Sequence, residues 1–286
     1  MPVDLHTHST ASDGSVDPSN LPRELVAHDI KIAALTDHDT VGGMDDFLAA
    51  CYEEGIIGIN GIEFSTVHHE TEVHLLGYGL PRDDSRFQSF MQKHADYLRE
   101  RAEMTLAKLR EHGLETSIDD VYEASGGNPP MPPHILVALA KHGYIHNLGE
   151  AIKLFSEYLI YGGKAWVDHT TQLEAPLNML VDVGAVAIVG HPTRLPDLVF
   201  LEEILDMGAH GFELYYPDHT GIIFDELEAI AKKRDCMVTG GSDYHGAFAE
   251  RVIGVPEVPL WVGLRLMEAI GLEIPAALVV DGGDFQ

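Results

Sequence analysis

Short apolar and β-branched runs recur at residues 3–5, 32–36, 56–62, 73–78, 186–189, 211–214 and 237–239. Between several of them lie stretches with apolar positions at helical spacing. One is residues 43–54; another opens at Asp17-Pro18, read as a cap followed by proline in the first turn, and runs to about His28. Strand patterns that alternate with helical ones predict parallel strands linked by helices, and a chain of 286 residues suits one α/β barrel carrying an insertion. From residue 81 to 163 the strand pattern stops. Residues 84–112 read as one long helix along which Phe87, Phe90, Met91, Tyr97, Leu98 and Leu106 are spread. Further helices are expected at 118–125, 134–142 and 148–158, separated by Gly126-Gly127-Asn128-Pro129-Pro130 and Pro132-Pro133. The expected organisation is therefore a barrel domain from residues 1–80 and 164–286, interrupted by a helical insertion subdomain at 81–163.

Charge narrows the partners. Against 46 acidic residues stand 18 lysines and arginines, a formal charge of −28 that repels the backbone of a long nucleic acid. A small anionic substrate remains compatible if bound dications make the pocket locally positive. No long uncharged apolar run is fit to cross a bilayer, and the N-terminus has no basic region followed by an apolar stretch, so the reading is a cytoplasmic protein without membrane partner. Cys51 and Cys236 read as packed, reduced thiols. Oligomeric state is not legible.

The chemistry sits in histidines and carboxylates clustered near strand ends: His6-x-His8 with Asp13, Asp37-His38-Asp39, Glu63, His74, Gly190-His191-Pro192-Thr193-Arg194 and Ser242-Asp243-Tyr244-His245. Most lie just beyond the carboxyl end of an expected strand, the face on which (β/α) barrels build active sites. Residues two apart on an extended segment project from the same face about 7 Å apart, so His6 and His8 can share one metal neighbourhood. Glu63 reads either as a bridging carboxylate or as a solvated strand end, and Asp37 as a ligand, an orienting partner or a helix cap. His74 by itself reads as a polar residue on one strand face. Gly240 and Gly241 let the backbone pass close to a bound ion or phosphate. Arg194 suits bidentate phosphate recognition or an ordinary surface ion pair. His169 and His219 are within reach of a pocket rim. Nitrogen and oxygen donors without thiolate point to divalent transition ions and metal-assisted hydrolysis. No nucleophile elbow, Walker loop or dinucleotide fingerprint competes.

Asp4-Leu5-His6-Thr7-His8-Ser9 with Ser12-Asp13-Gly14, Thr36-Asp37-His38-Asp39, Gly61-Ile62-Glu63, Gly190-His191-Pro192 and Gly241-Ser242-Asp243-Tyr244-His245 together resemble the polymerase and histidinol phosphatase (PHP) family, in the manner of its stand-alone phosphoesterases. The resemblance implies a distorted (β/α)7 barrel holding two or three divalent ions, manganese foremost, with iron or zinc as alternatives. It implies that His6, His8, Glu63 and Asp243 hold one ion, that Glu63 bridges to a second held by His74 and His134, and that Asp13, His38 and His245 hold a third. On this reading the ions lower the pKa of a bridging water for attack on the phosphate ester of a small phosphorylated metabolite, a nucleotide or phosphosugar. Arg194 and His191 contact the phosphate, and His191 or Asp39 protonates the leaving alkoxide. One similar subgroup acts on nucleoside 3′,5′-bisphosphates and short RNA ends, usually with an arginine shortly before the insertion histidine. Here that stretch is Met131-Pro132-Pro133-His134. Another subgroup opens cyclic phosphate esters of sugars. An alternative of another class is a non-catalytic accessory module that retains the metal scaffold.

Overall fold

The structure, a computed structural model, describes residues 2–168 and 170–279. Its strands are β1 (Val3–Asp4), β2 (Ile32–Leu35), β3 (Ile57–His68), β4 (Thr71–Tyr78), β5 (Val186–Val189), β6 (Gly211–Tyr215) and β7 (Met237–Gly240). They form one sheet in that order. Every residue of β2 and β5 is buried, as expected of strands covered on both faces. The edges meet through Leu5 N–H to the Gly240 carbonyl (3.1 Å), Asp243 N–H to His6 (2.9 Å) and His8 N–H to Tyr244 (2.9 Å). The buried Asp4 carboxylate ties the same seam by accepting from the amides of Ser242 (2.9 Å) and Gly254 (3.0 Å).

The expectation of uniformly parallel strands is corrected at β4, which pairs antiparallel with both β3 and β5 while the other pairs are parallel. A two-residue hairpin reverses the chain. Its residues, His69 (φ 46°) and Glu70 (φ 63°), occupy the left-handed region that such tight turns require, without the usual glycine. β3 also overruns its expected end by six residues, so Glu63 lies within the strand and not beyond it.

Helices α1 (Leu21–Ala27) and α2 (Met44–Glu54) cover the first strands. α1 starts later than Asp17-Pro18 suggested, because Asp17 spends its carboxylate on the Ser19 amide (2.9 Å) and the proline of the first turn is Pro22. The segment between β4 and β5 contains α3 (Ser85–Glu111), α4 (Ile118–Ala124), α5 (Pro132–Lys141), α6 (Leu148–Leu154), which passes into a π-helical turn at Phe155–Leu159, and α7 (Glu174–Asp182). Leu106, Leu109, Val121, Ile135, Leu139, Leu154 and Leu159 form their own buried cluster here, apart from the one that fills the barrel. α8 (Leu198–Asp206), α9 (Ile222–Arg234) and α10 (Leu260–Ala269) complete the outer layer. Cys51 and Cys236 are free thiols. No helix among the described residues is long and apolar enough to cross a membrane.

Candidate metal centre

The carboxyl ends of the parallel strands and the amino-terminal half of the reversed β4 share one rim. Glu63 sits at its middle, fully buried, with His38 paired beside it on the backbone. Its two oxygens face different neighbours. Oε2 lies 2.9 Å from His6 Nε2, 3.1 Å from His8 Nε2 and 3.5 Å from His38 Nε2. Oε1 lies 2.9 Å from His74 Nδ1 and 3.0 Å from His191 Nε2. Asp243 Oδ1 closes the first set, 3.4 Å from His6 Nε2 and 3.3 Å from His8 Nε2.

Three ion-sized groups of donors result, each with ligand atoms within 4.8 Å of one another. They are His6, His8, Glu63 and Asp243; His38, Glu63 and His74; and His8, Asp13, His38 and His245. In the third, Asp13 Oδ1 is 3.3 Å from His245 Nε2 and Asp13 Oδ2 is 3.8 Å from His38 Nε2. Among the described residues, Nδ1 of His8, His38 and His191 are buried without a hydrogen-bond partner. The Nε2 atoms of His6 and His8 face each other at 3.1 Å. Opposed lone pairs at that distance call for a proton or a cation between them, so the residues present fit divalent metal.

Electrostatics point the same way. Burial works against charge on His8, yet Asp243 and Glu63 outweigh it and push its pKa up to about 10. His74 is likewise pushed up to about 10, its burial penalty overcome by Glu63 and Glu72. Glu63 is held well below the carboxylate range despite burial, by His6, His38 and His74. Asp243 is also depressed, with His6 and His8 outweighing its burial. The carboxylates thus favour positive charge on His6, His8 and His74, whereas burial holds His38 and His191 below the ordinary imidazole range.

The structure does not bring His134 to Glu63 and His74. At the third position of α5 its Nδ1 accepts the Met131 amide (3.0 Å), its ring also faces the Thr10 backbone, and it joins none of the ion-sized groups. His191 stands there instead. Asp39, considered as a proton donor, bonds His94 of α3 (2.7 Å) and the Ser65 amide (3.0 Å), which links the rim to the insertion. Asp37 is a loop organiser: it accepts from Ser9 N–H (2.7 Å), Ser9 Oγ (2.6 Å) and Ser12 Oγ (2.5 Å). Gly240 and Gly241 make room for protein and not for a ligand, since a Cβ on Gly241 would stand 2.4 Å from the His6 nitrogen. His219 is buried against the Leu214 carbonyl (3.0 Å) and Thr193 (3.1 Å), while His169 lies outside the described residues.

Sequence reasoning missed Glu213, Tyr216 and Arg251. Glu213, fully buried in β6, places Oε1 2.9 Å from His6 Nδ1 and accepts the His191 amide on Oε2 at 2.7 Å. The signal was available: an acid inside the apolar strand Gly211-Phe212-Glu213-Leu214-Tyr215 needs a partner. The Tyr216 hydroxyl donates to Asp243 Oδ2 (2.7 Å) and accepts from Arg194 (3.0 Å) and Arg251 (3.2 Å), which brings two guanidiniums beside the centre. Nothing local in the sequence marks Arg251. Asp243 (φ 55°), His191 (φ 28°) and Asp39 (φ 58°) hold left-handed backbone, a cost of about 1–3 kcal/mol each that concentrates at functional sites.

An α/β barrel with nitrogen and oxygen donors gathered at its carboxyl rim defines the class of metal-binding barrel proteins. Within that class, the PHP domain model matches residues 4–195, and the chain belongs to this family. It is similar to a 5′-3′ exoribonuclease of Haemophilus influenzae, 29% identical with 85% of this chain and 89% of that protein covered. A phosphoribosyl 1,2-cyclic phosphate 1,2-diphosphodiesterase of Eggerthella lenta is 27% identical over 87% and 95% of the two chains. A 3′,5′-nucleoside bisphosphate phosphatase of Chromobacterium violaceum is 28% identical over 85% and 87%. The solved structure of a Bifidobacterium adolescentis protein superposes with a TM-score of 0.82 at 21% identity, covering 97% of this chain and 99% of its own, a likeness of fold.

Proposed function

We propose that the protein is a metal-dependent phosphoesterase that hydrolyses phosphate esters of a small phosphorylated metabolite, a nucleotide or phosphosugar. The observation that carries this reading is the buried Glu63, with imidazoles approaching both of its oxygens and three ion-sized donor groups around it. Manganese, iron or zinc suits this donor set without thiolate. When bound there, such ions supply charge neutralisation on the ester and a water of lowered pKa for attack.

The chain's own side chains divide the remaining work. Glu63 serves both sides of the centre. His191, pulled down to about 4 by burial, is neutral at pH 7, which suits a ligand beside His74 better than a proton donor and gives it the place first expected of His134. Glu213 fixes the His6 ring and the His191 backbone. Arg194 and Arg251 present guanidiniums for phosphate oxygens that the nearby carboxylates would otherwise repel.

The paired guanidiniums also support a second reading, a substrate with two phosphates or a short RNA end, as in the Haemophilus and Chromobacterium relatives. The Met131-Pro132-Pro133-His134 stretch supplies no arginine for it. Phosphate release from adenosine monophosphate, a nucleoside 3′,5′-bisphosphate and a ribose cyclic phosphate, each with and without manganese, ranks these substrates. His8→Ala and Asp243→Ala should each lower turnover more than about 100-fold and reduce the ions bound per chain. Wild-type turnover in either variant would contradict the assignment, and no metal-dependent release from any substrate would favour a non-catalytic module.

A further inference from the structure

The β3–β4 hairpin runs on past the rim and ends against α8. At its tip the ring nitrogens of His68 and His69 converge on one carboxylate: His68 Nε2 is 3.3 Å and His69 Nε2 3.0 Å from Glu203 Oε1. The left-handed backbone at His69 turns its ring alongside that of His68, with centroids 4.1 Å apart. On the far side of the His68 ring, Nδ1 lies 3.3 Å from Glu174 Oε1 of α7. A carboxylate on the Nδ1 side while Nε2 faces Glu203 is the placement that commonly orients metal-bound histidines. Phe200 packs edge-on against both rings and restricts their rotation.

These distances have a second meaning. Two ligands about 2.0–2.1 Å from a shared tetrahedral ion stand about 3.3 Å apart, close to the separations found here. The three donor atoms lie within 4.8 Å of one another, and none of the residues takes part in the centre around Glu63. We propose that His68, His69 and Glu203 form a separate transition-metal site that takes zinc or a chemically similar ion, with solvent completing the coordination. His69 and Glu203 are exposed, so the site exchanges with solution. Its occupancy clips the hairpin bearing Glu63 and His74 to α8, joining positions 134 residues apart.

The test uses the full chain with its main centre loaded with manganese. Zinc is titrated in and bound zinc counted per chain by mass spectrometry after gel filtration. Cobalt is followed in parallel through the visible absorption of tetrahedral coordination. Wild type should bind one more zinc ion than His69→Ala or Glu203→Gln, and zinc should raise the melting temperature of wild type alone. The His8→Ala variant should retain this extra ion, which separates failure at the hairpin from failure of the main centre. Both hairpin-site changes fall at exposed positions and should leave manganese-dependent turnover unchanged. Equal zinc stoichiometry in wild type and both variants, or a melting shift that survives in them, overturns the proposal and leaves only a proton shared between imidazole and carboxylate.

Discussion

Glu213 touches no expected substrate atom, yet His6 and the His191 backbone both depend on it. Glutamine there keeps the shape but turns an amide N–H₂ toward the His6 nitrogen or the His191 N–H, both of which need an acceptor. Glu213→Gln should lower metal affinity and turnover by about 10–100-fold, the usual cost of losing a partner that orients a ligand. Metal content and kcat/KM read this, and wild-type values for both would show that His6 needs no such support. Proton balance belongs to the same scale. The folded values of His8 and His74, about 10, lie above their ordinary 6.5. Their stabilisation of the ion-free protein is therefore complete below pH 6.5 and is lost as pH rises through about 10. Metal entering at neutral pH must then expel protons. Calorimetric titration in two buffers of different ionisation enthalpy should show that release; identical heats would refute it.

At the scale of elements, the reversal of β4 is what brings His74 to the rim. A parallel strand of that sequence would carry its early residues to the opposite end of the barrel. Apolar patterning reads the same in either direction, and the turn at His69-Glu70 carries no glycine to announce it, so the reversal was not legible. The seam between β1 and the turn after β7 depends on close backbone approach. Gly241→Ala puts a methyl 2.4 Å from the His6 nitrogen and 2.6 Å from its Cβ, so either strand must shift. The variant should fold with lower stability and lose metal ions together with activity, read by thermal melting and ions per chain. Full metal occupancy would mean that the seam yields without moving His6.

For the molecule as a whole, the charge of −28 surrounds a rim that gathers guanidiniums and, when loaded, cations. A small ester brings few charges against this acidic balance, whereas a long polyanion brings many. Raising salt from about 50 to 300 mM should therefore increase kcat/KM on an oligonucleotide while barely changing it on a mononucleotide, because screening removes the repulsion. A fall with salt on the oligonucleotide would point to a basic track along the surface. The helices between β4 and β5 pack their own apolar cluster, and the His94–Asp39 bond is one of their contacts with the rim.

Most strand positions and the long helix at 85–111 could be read from the chain, because burial imposes residue types at short, regular spacing, and His6, His8, His38, Glu63, Asp243 and His245, marked by their sequence clusters, come together in ion-sized groups. Which donors meet was another matter. His134 and His191 are both histidines set near prolines, and only the three-dimensional path puts one on a Glu63 oxygen and the other on the cap of α5. Partners such as Glu213, Tyr216 and Arg251 act across many residues of chain. Their roles depend on strand direction and barrel closure, which local patterning does not encode.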